Sequence, residues 1–203
     1  MDKLITISRE YGSGGRIVGE LLAKKLNIPF YDKAVIDLAV EASGFSKEAI
    51  EGAELKAKSS FAYSWASAAP FGSDALGSAG MSINDKIFLA QFQVIREIGE
   101  KGEGVIVGRC ADYVLKDIPG VVNVFVYDKM PGRIARATEK YGDDPAKVEQ
   151  LIEKYDKARR NYYSYHTGQV WGEYTNYDLC INTSQINEDD AASIIAEYII
   201  HRK

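Results

Sequence analysis

Gly12, Gly14 and Gly15 lie between a short apolar run, Leu4, Ile5 and Ile7, and an amphipathic stretch with Val18, Leu21, Leu22 and Leu26 on one helical face. Strand, glycine-rich turn and helix in that order make an anion site. Backbone N–H groups of the turn and of the helix N-terminus converge there, and the helix dipole favours negative charge. Glycine lets the backbone curl tightly and approach the ligand without a Cβ in the way. Compared with the standard phosphate-loop pattern G-x-x-x-x-G-K-[ST], Arg9 stands at the first glycine, Gly14 at the second, Gly15 at the lysine and Arg16 at the Ser/Thr. The candidate phosphate-binding stretch is therefore Gly12, Ser13, Gly14, Gly15, Arg16 and Ile17. It lacks the usual lysine. Arg16, in the first helical turn, is the residue that could swing back; its planar fork suits bidentate phosphate contact but lacks lysine's compact geometry.

A second cation, Arg109, follows the run VIVG at the carboxyl end of a buried strand. Open α/β sheets place ligand groups there. A charge in that position needs an anion, either a ligand phosphate or a carboxylate such as Asp112 or Asp32; the ligand is the preferred reading. Asp156 and Arg159 lie one helical turn apart, with Arg160 adjoining. They form either a solvated pair worth a few tenths of a kcal/mol or a ligand-facing pair. The Tyr-dense stretch 161–177 reads as packing, with one nucleobase-stacking residue allowed, and His166 reads as structural. Asp128 suits either a Mg²⁺ ligand or a helix cap before Pro131.

These groups must be positioned by regular elements. Residues 28–31 read as a second strand ending at Asp32, and 33–41 as a helix. Residues 43–82, rich in Ser, Ala and Gly with scattered aromatics, read as a flexible or loosely helical insertion. A helix over 83–100, with Asn84 as its candidate cap, precedes strands at 104–108 and 121–127. Helices at 131–141 and 145–163, a strand at 177–183 and a helix at 188–200 follow. Five strands of near-continuous β-branched residues alternating with helices predict a three-layer α/β/α domain around a parallel sheet. With 203 residues, 46% of them hydrophobic, a single domain with a real core is expected. A net charge of −4 argues against bulk binding to nucleic acid or anionic membrane. The first residues lack the apolar core of a signal peptide and no apolar run reaches membrane-spanning length, so the expected location is the cytoplasm. Cys110 and Cys180 fall in apolar, strand-like segments and are expected as buried reduced thiols. With only His166 and His201, no histidine-based metal site stands out.

From Ile5 to Leu26 the chain aligns without a gap to the start of bacterial cytidylate kinases, and it resembles the cytidylate-kinase-like family of P-loop nucleoside monophosphate kinases. Further matches are Tyr31-Asp32, Gly108-Arg109, Arg133 and Arg136, and the D-x-x-R of Asp156 and Arg159. The resemblance implies a five-stranded parallel sheet with ATP and Mg²⁺ as the donor. It also implies an acceptor-side insertion at 43–82 and a lid at 143–176 carrying arginines onto the transferred group. By the same resemblance, Arg16, Arg109 and Arg159 are catalytic candidates. Asp32, Lys33, Arg109, Arg133, Asp156 and Arg159 are substrate-binding candidates, and no residue is assigned to a metal.

The chain departs from the family at identifiable places. The catalytic lysine falls on Gly15, and the threonine expected near Mg²⁺ falls on Ile17. Positions that carry a serine and an arginine toward the monophosphate hold Lys33 and Leu38, and the aspartate after the third-strand arginine is Cys110. The leading expectation is a nucleoside monophosphate kinase-like phosphotransferase acting on a (d)CMP-like or other small phosphate acceptor. A second is a degenerate kinase that senses a nucleotide without turnover. A third, a dinucleotide-binding fold with Asp32 as its acidic residue, needs glycine where Ile17 stands.

Overall fold

The computed structural model describes residues 3–56 and 81–202. Strand β1 (Lys3–Arg9) lies at the centre of a five-stranded sheet with β2 (Phe30–Tyr31), β3 (Glu103–Val107), β4 (Val122–Tyr127) and β5 (Leu179–Asn182). The order is β2-β3-β1-β4-β5, and every pairing is parallel. The helices in chain order are α1 (Gly15–Leu26), α2 (Lys33–Ser43), α3 (Lys47–Lys56), α4 (Ile83–Glu100), α5 (Ala111–Val114), α6 (Met130–Tyr141), α7 (Val148–Thr167) and α8 (Glu188–His201).

Strand alternation sends Ile5, Ile7, Val105, Val107, Val124 and Val126 to one face, where α1 and α8 cover them with Val18, Leu22, Ala192 and Ile195. Leu4 and Ile106 face the other way, under Val35, Ile50, Ile95 and Leu115 from α2 to α5. Both faces are covered, which is why the strands read as unbroken apolar runs. The expected three-layer α/β/α fold and parallel sheet are observed.

Helix α7 adds a third cluster on the second face. Tyr162, Tyr163 and Trp171 pack there against Phe125 and Cys110. The Tyr162 hydroxyl donates to Gln91 Oε1 at 2.9 Å, and the Tyr163 hydroxyl to Asp112 Oδ2 at 2.6 Å. The packing reading of this aromatic segment holds. His166 stacks on Phe88 with ring centroids 3.9 Å apart, and burial pushes its pKa down to about 4.

The structure corrects the sequence reading at four places. Helix α4 is capped by Ser82, whose side chain accepts from the Asp85 N–H, and not by Asn84, which already lies inside the first turn. Within the expected insertion, residues 47–56 form α3, whose Ile50 and Ala53 are buried against α2 and α7; residues 57–80 lie outside the described residues. Helix α7 starts at Val148 and not at 145, because Asp144 holds a turn through its side chain to the Ala146 N–H. Cys110 is buried as expected, but Cys180 is exposed, because β5 is an edge strand.

Candidate functional site

The glycine loop leaves the carboxyl end of β1 and enters α1. Gly12 (φ 79°) and Gly14 (φ 83°) are both left-handed, with Ser13 fully buried between them. A β-carbon at Gly12 would sit 2.6 Å from the Arg133 carbonyl oxygen, so position 12 admits glycine on both backbone and steric grounds. Inside the loop, the Ser13 hydroxyl donates to the Glu10 carbonyl at 2.9 Å and lies 3.4 Å from the Gly15 N–H.

The loop is gripped from outside, through its carbonyls. Arg133 of α6 donates to the Tyr11 carbonyl at 2.7 Å, Arg136 to the Gly12 carbonyl at 2.7 Å, and Thr183, just after β5, to the Ser13 carbonyl at 2.8 Å. Three successive carbonyls of the loop are thus occupied by side chains of α6 and of the residue after β5. Arg136 is itself fixed by Asp128 (2.7 Å) and Glu188 (2.8 Å). Burial raises the Glu188 carboxyl, but hydrogen bonds from Lys140 and Arg136 outweigh it and leave the group below its ordinary range. Asp128 therefore serves this ion pair, and its carboxylate also accepts from the Lys129 N–H at 2.6 Å.

Helix α7 closes the loop from above. Asp156, 4% exposed, accepts the Tyr11 N–H at 2.8 Å and pairs with Arg133 and, at 3.7 Å, with Arg159. Arg159 reaches the Arg9 carbonyl at 3.4 Å and lies over the Tyr11 ring at 5.7 Å. Glu10 stands 3.4 Å from Arg133, and burial raises its carboxyl pKa despite that neighbour. The structure thus brings Arg133, Asp156 and Arg159 together with the loop, with the Asp156 carboxylate engaged by Tyr11, Arg133 and Arg159.

The remaining candidates sit at the loop's other flank. Arg109 follows β3 in a run of left-handed residues: Gly108 (φ 74°), Arg109 (φ 59°) and Cys110 (φ 55°). A non-glycine residue in this region costs about 1–3 kcal/mol, so the turn at the carboxyl end of β3 is held against local preference. Arg16 is half-exposed and tied to Asp32 at 2.7 Å, with Glu20 at 3.6 Å. Lys33 opens α2 at the surface, and Ile17 is partly buried in the first turn of α1. A groove of about 680 Å³, large enough for a nucleoside, runs beside the loop between α6 and the β5–α8 connection; Asp128, Gly132, Arg136, Lys140, Thr183 and Asn187 line it. Among the described residues, no group of three or more His, Cys, Asp or Glu side chains could hold a metal.

Sequence reasoning missed Glu10, Tyr11, Thr183 and Glu188, and it named Arg136 without a role. Their partners lie 122 to 170 residues away for the bonds to Tyr11, Gly12 and Ser13, so no local pattern announces them.

The model of the cytidylate kinase-like family matches residues 4–185. No curated protein matches the chain. An uncharacterized protein from Eubacterium ventriosum ATCC 27560 superposes with a TM-score of 0.73 at 28% identity, covering 98% of this chain and 99% of that one. Shikimate kinase from Acinetobacter baumannii, in complex with shikimate, gives 0.54 at 17% identity over 98% and 94% of the two chains. Shikimate kinase from Bacteroides thetaiotaomicron gives 0.56 at 14% identity over 98% of each chain. The last two share the fold.

Proposed function

The chain belongs to the cytidylate kinase-like family, and on that premise we propose that it is a phosphotransferase moving the γ-phosphate of ATP to a (d)CMP-like or other small phosphate acceptor. The observation that carries the proposal is the loop with left-handed Gly12 and Gly14, its Tyr11, Gly12 and Ser13 carbonyls held by Arg133, Arg136 and Thr183. A loop held this firmly would need little rearrangement to bind an anion, and phosphoryl transfer depends on positioning and on fixed positive charge.

ATP fits the residues present. The groove beside the loop has room for the nucleoside, and Gly12 to Ile17 would hold the phosphates. Mg²⁺ would arrive on the nucleotide, held by phosphate oxygens and water, since Ile17 offers no hydroxyl. When bound, the ion would neutralise charge between the β- and γ-phosphates. Arg109 would take the acceptor phosphate, Arg159 the transferred group, and Asp32, Lys33, Arg133 and Asp156 would orient the acceptor and the lid helix. Arg16 would join them by leaving Asp32.

The absence of lysine at Gly15 favours a second reading, a nucleotide sensor without turnover. One screen tests both. ATP consumption is followed with each common nucleoside monophosphate, and with shikimate as a non-nucleotide acceptor because shikimate kinases share the fold. Turnover with one acceptor supports the kinase. Saturable ATP binding without turnover across the panel supports the sensor. Neither binding nor turnover would refute both.

A further inference from the structure

The missing lysine leaves a question of charge: which residue faces the donor phosphates? Gly15 is closed to a side chain chiefly by Arg9: a β-carbon there would lie 2.4 Å from Arg9 Cβ and 3.1 Å from Arg9 Cγ, with Val126 Cβ also at 3.1 Å. Arg9 therefore begins in the space where a side chain at position 15 would begin. Its far end lies beside Gly108. A β-carbon at Gly108 would lie 2.1 Å from Arg9 Nη1 and 3.1 Å from its Cζ, so the guanidinium rests against the backbone at the carboxyl end of β3. One arginine thus lies against two glycines, Gly15 at the start of α1 and Gly108 after β3. Arg9 stands where the standard pattern has its first glycine, so the two departures compensate: side chain and charge move from the helix start to the strand end.

We propose that Arg9 is the resident phosphate-binding cation of this site, taking over the charge that the loop lysine supplies elsewhere, and that its ligand is the β- and γ-phosphates of a nucleoside triphosphate. The proposal rests on the phosphotransferase reading above and names a residue that reading does not use. Its guanidinium lies across the carboxyl ends of β1 and β3, between the glycine loop and the turn that carries Arg109. That is the ligand end of an open parallel sheet. Arg159 contacts the Arg9 carbonyl at 3.4 Å, so a second arginine meets the same residue. The fork geometry of arginine suits two phosphate oxygens at once. Arg16 is half-exposed and paired with Asp32 at 2.7 Å, so its fork reaches the loop only by leaving that carboxylate.

The test is calorimetric titration of the full chain with ATP and Mg²⁺, with a thermal melt of each variant as a check on folding. Arg9→Met keeps the stem and removes the charge; ATP affinity is expected to fall about ten- to a hundredfold, the usual effect of one lost charge-assisted contact. Lys24→Met, which removes a mostly exposed cation on α1, is expected to change it less than about threefold. Gly15→Lys alone should lose both melting temperature and affinity, because its β-carbon meets Arg9. The double variant Arg9→Gly/Gly15→Lys restores the standard arrangement and should recover ATP affinity to within about fivefold of the parent, a rescue that a merely structural Arg9 would not give. Unchanged affinity in a folded Arg9→Met, or a double variant no better than Gly15→Lys alone, would overturn the assignment and leave the phosphotransferase reading standing. No saturable ATP binding by the parent protein would overturn both.

Discussion

Replacing Asp156 by alanine should destabilise the protein and loosen the phosphate loop together. The carboxylate is 4% exposed and pairs with Arg133, itself 6% exposed. It also accepts the Tyr11 N–H at 2.8 Å. Breaking a buried pair by removing one partner costs about 3–5 kcal/mol, because the surviving charge is left uncompensated. Here Arg133 keeps Glu10 at 3.4 Å and the Tyr11 carbonyl at 2.7 Å, which places the expected loss at the lower end, about 3 kcal/mol. For a chain of this size that corresponds to a fall of roughly 6–12 °C in Tm. Urea unfolding followed by circular dichroism gives the free energy directly. Asp156→Asn keeps an acceptor for Tyr11 and should lose less. Asp156→Ala/Arg133→Met, which removes both charges, should cost less than the two single changes summed. A loss below about 1 kcal/mol for Asp156→Ala, or strict additivity in the double variant, would refute the view that this pair clamps the loop.

Three further outcomes are expected. Arg109→Ala should weaken binding of the acceptor monophosphate about ten- to a hundredfold and leave ATP binding nearly unchanged, measured by titration with each ligand; equal weakening of both would mean the two halves of the site are wrongly divided. His166 is held neutral by burial, with its pKa pushed down from 6.5 to about 4 and only Asp85 opposing the shift. The unfolded chain then binds the proton more readily, so this contribution is complete above pH 6.5 and is lost as pH falls from 6.5 to 4, by up to about 3 kcal/mol. His166→Phe should flatten the stability profile in that window, and an unaltered slope would refute it. Finally, a maleimide should label Cys180 in the native protein and Cys110 only on unfolding; two rapidly reacting thiols would contradict the burial of Cys110.

The loop and the sheet were legible because each rests on a short-range pattern. Glycines at 12, 14 and 15 and the β-branched runs of β3 and β4 carry their own conformational signals. Helix α3 was hidden because its packing, through Ile50 and Ala53, is decided by α2 and α7 and not by its own weak periodicity. The cap of α4 differed by two residues because serine and asparagine cap equally well, and only the chain's path selects Ser82. Arg133 and Asp156 were singled out as candidates, but that each also braces Tyr11 depends on which helix meets which strand end. Arg9 registered only as a missing glycine. Its reach across Gly15 and Gly108 is a three-dimensional fact with no signature in spacing.

The clamps on the loop also set an order of assembly. Residues 10–13 emerge before their fastenings, which come from Arg133, Arg136, Asp156 and Thr183, and β1 waits for β3 and β4 on its two sides. Contacts this distant in sequence carry a heavy loop-closure cost and form late. During synthesis the nascent chain would therefore hold a glycine stretch with no fixed shape until about residue 183 had left the ribosome. Competence to capture a phosphate would switch on only after Thr183 had joined the fold, and a product cut short before it would carry the motif without its grip.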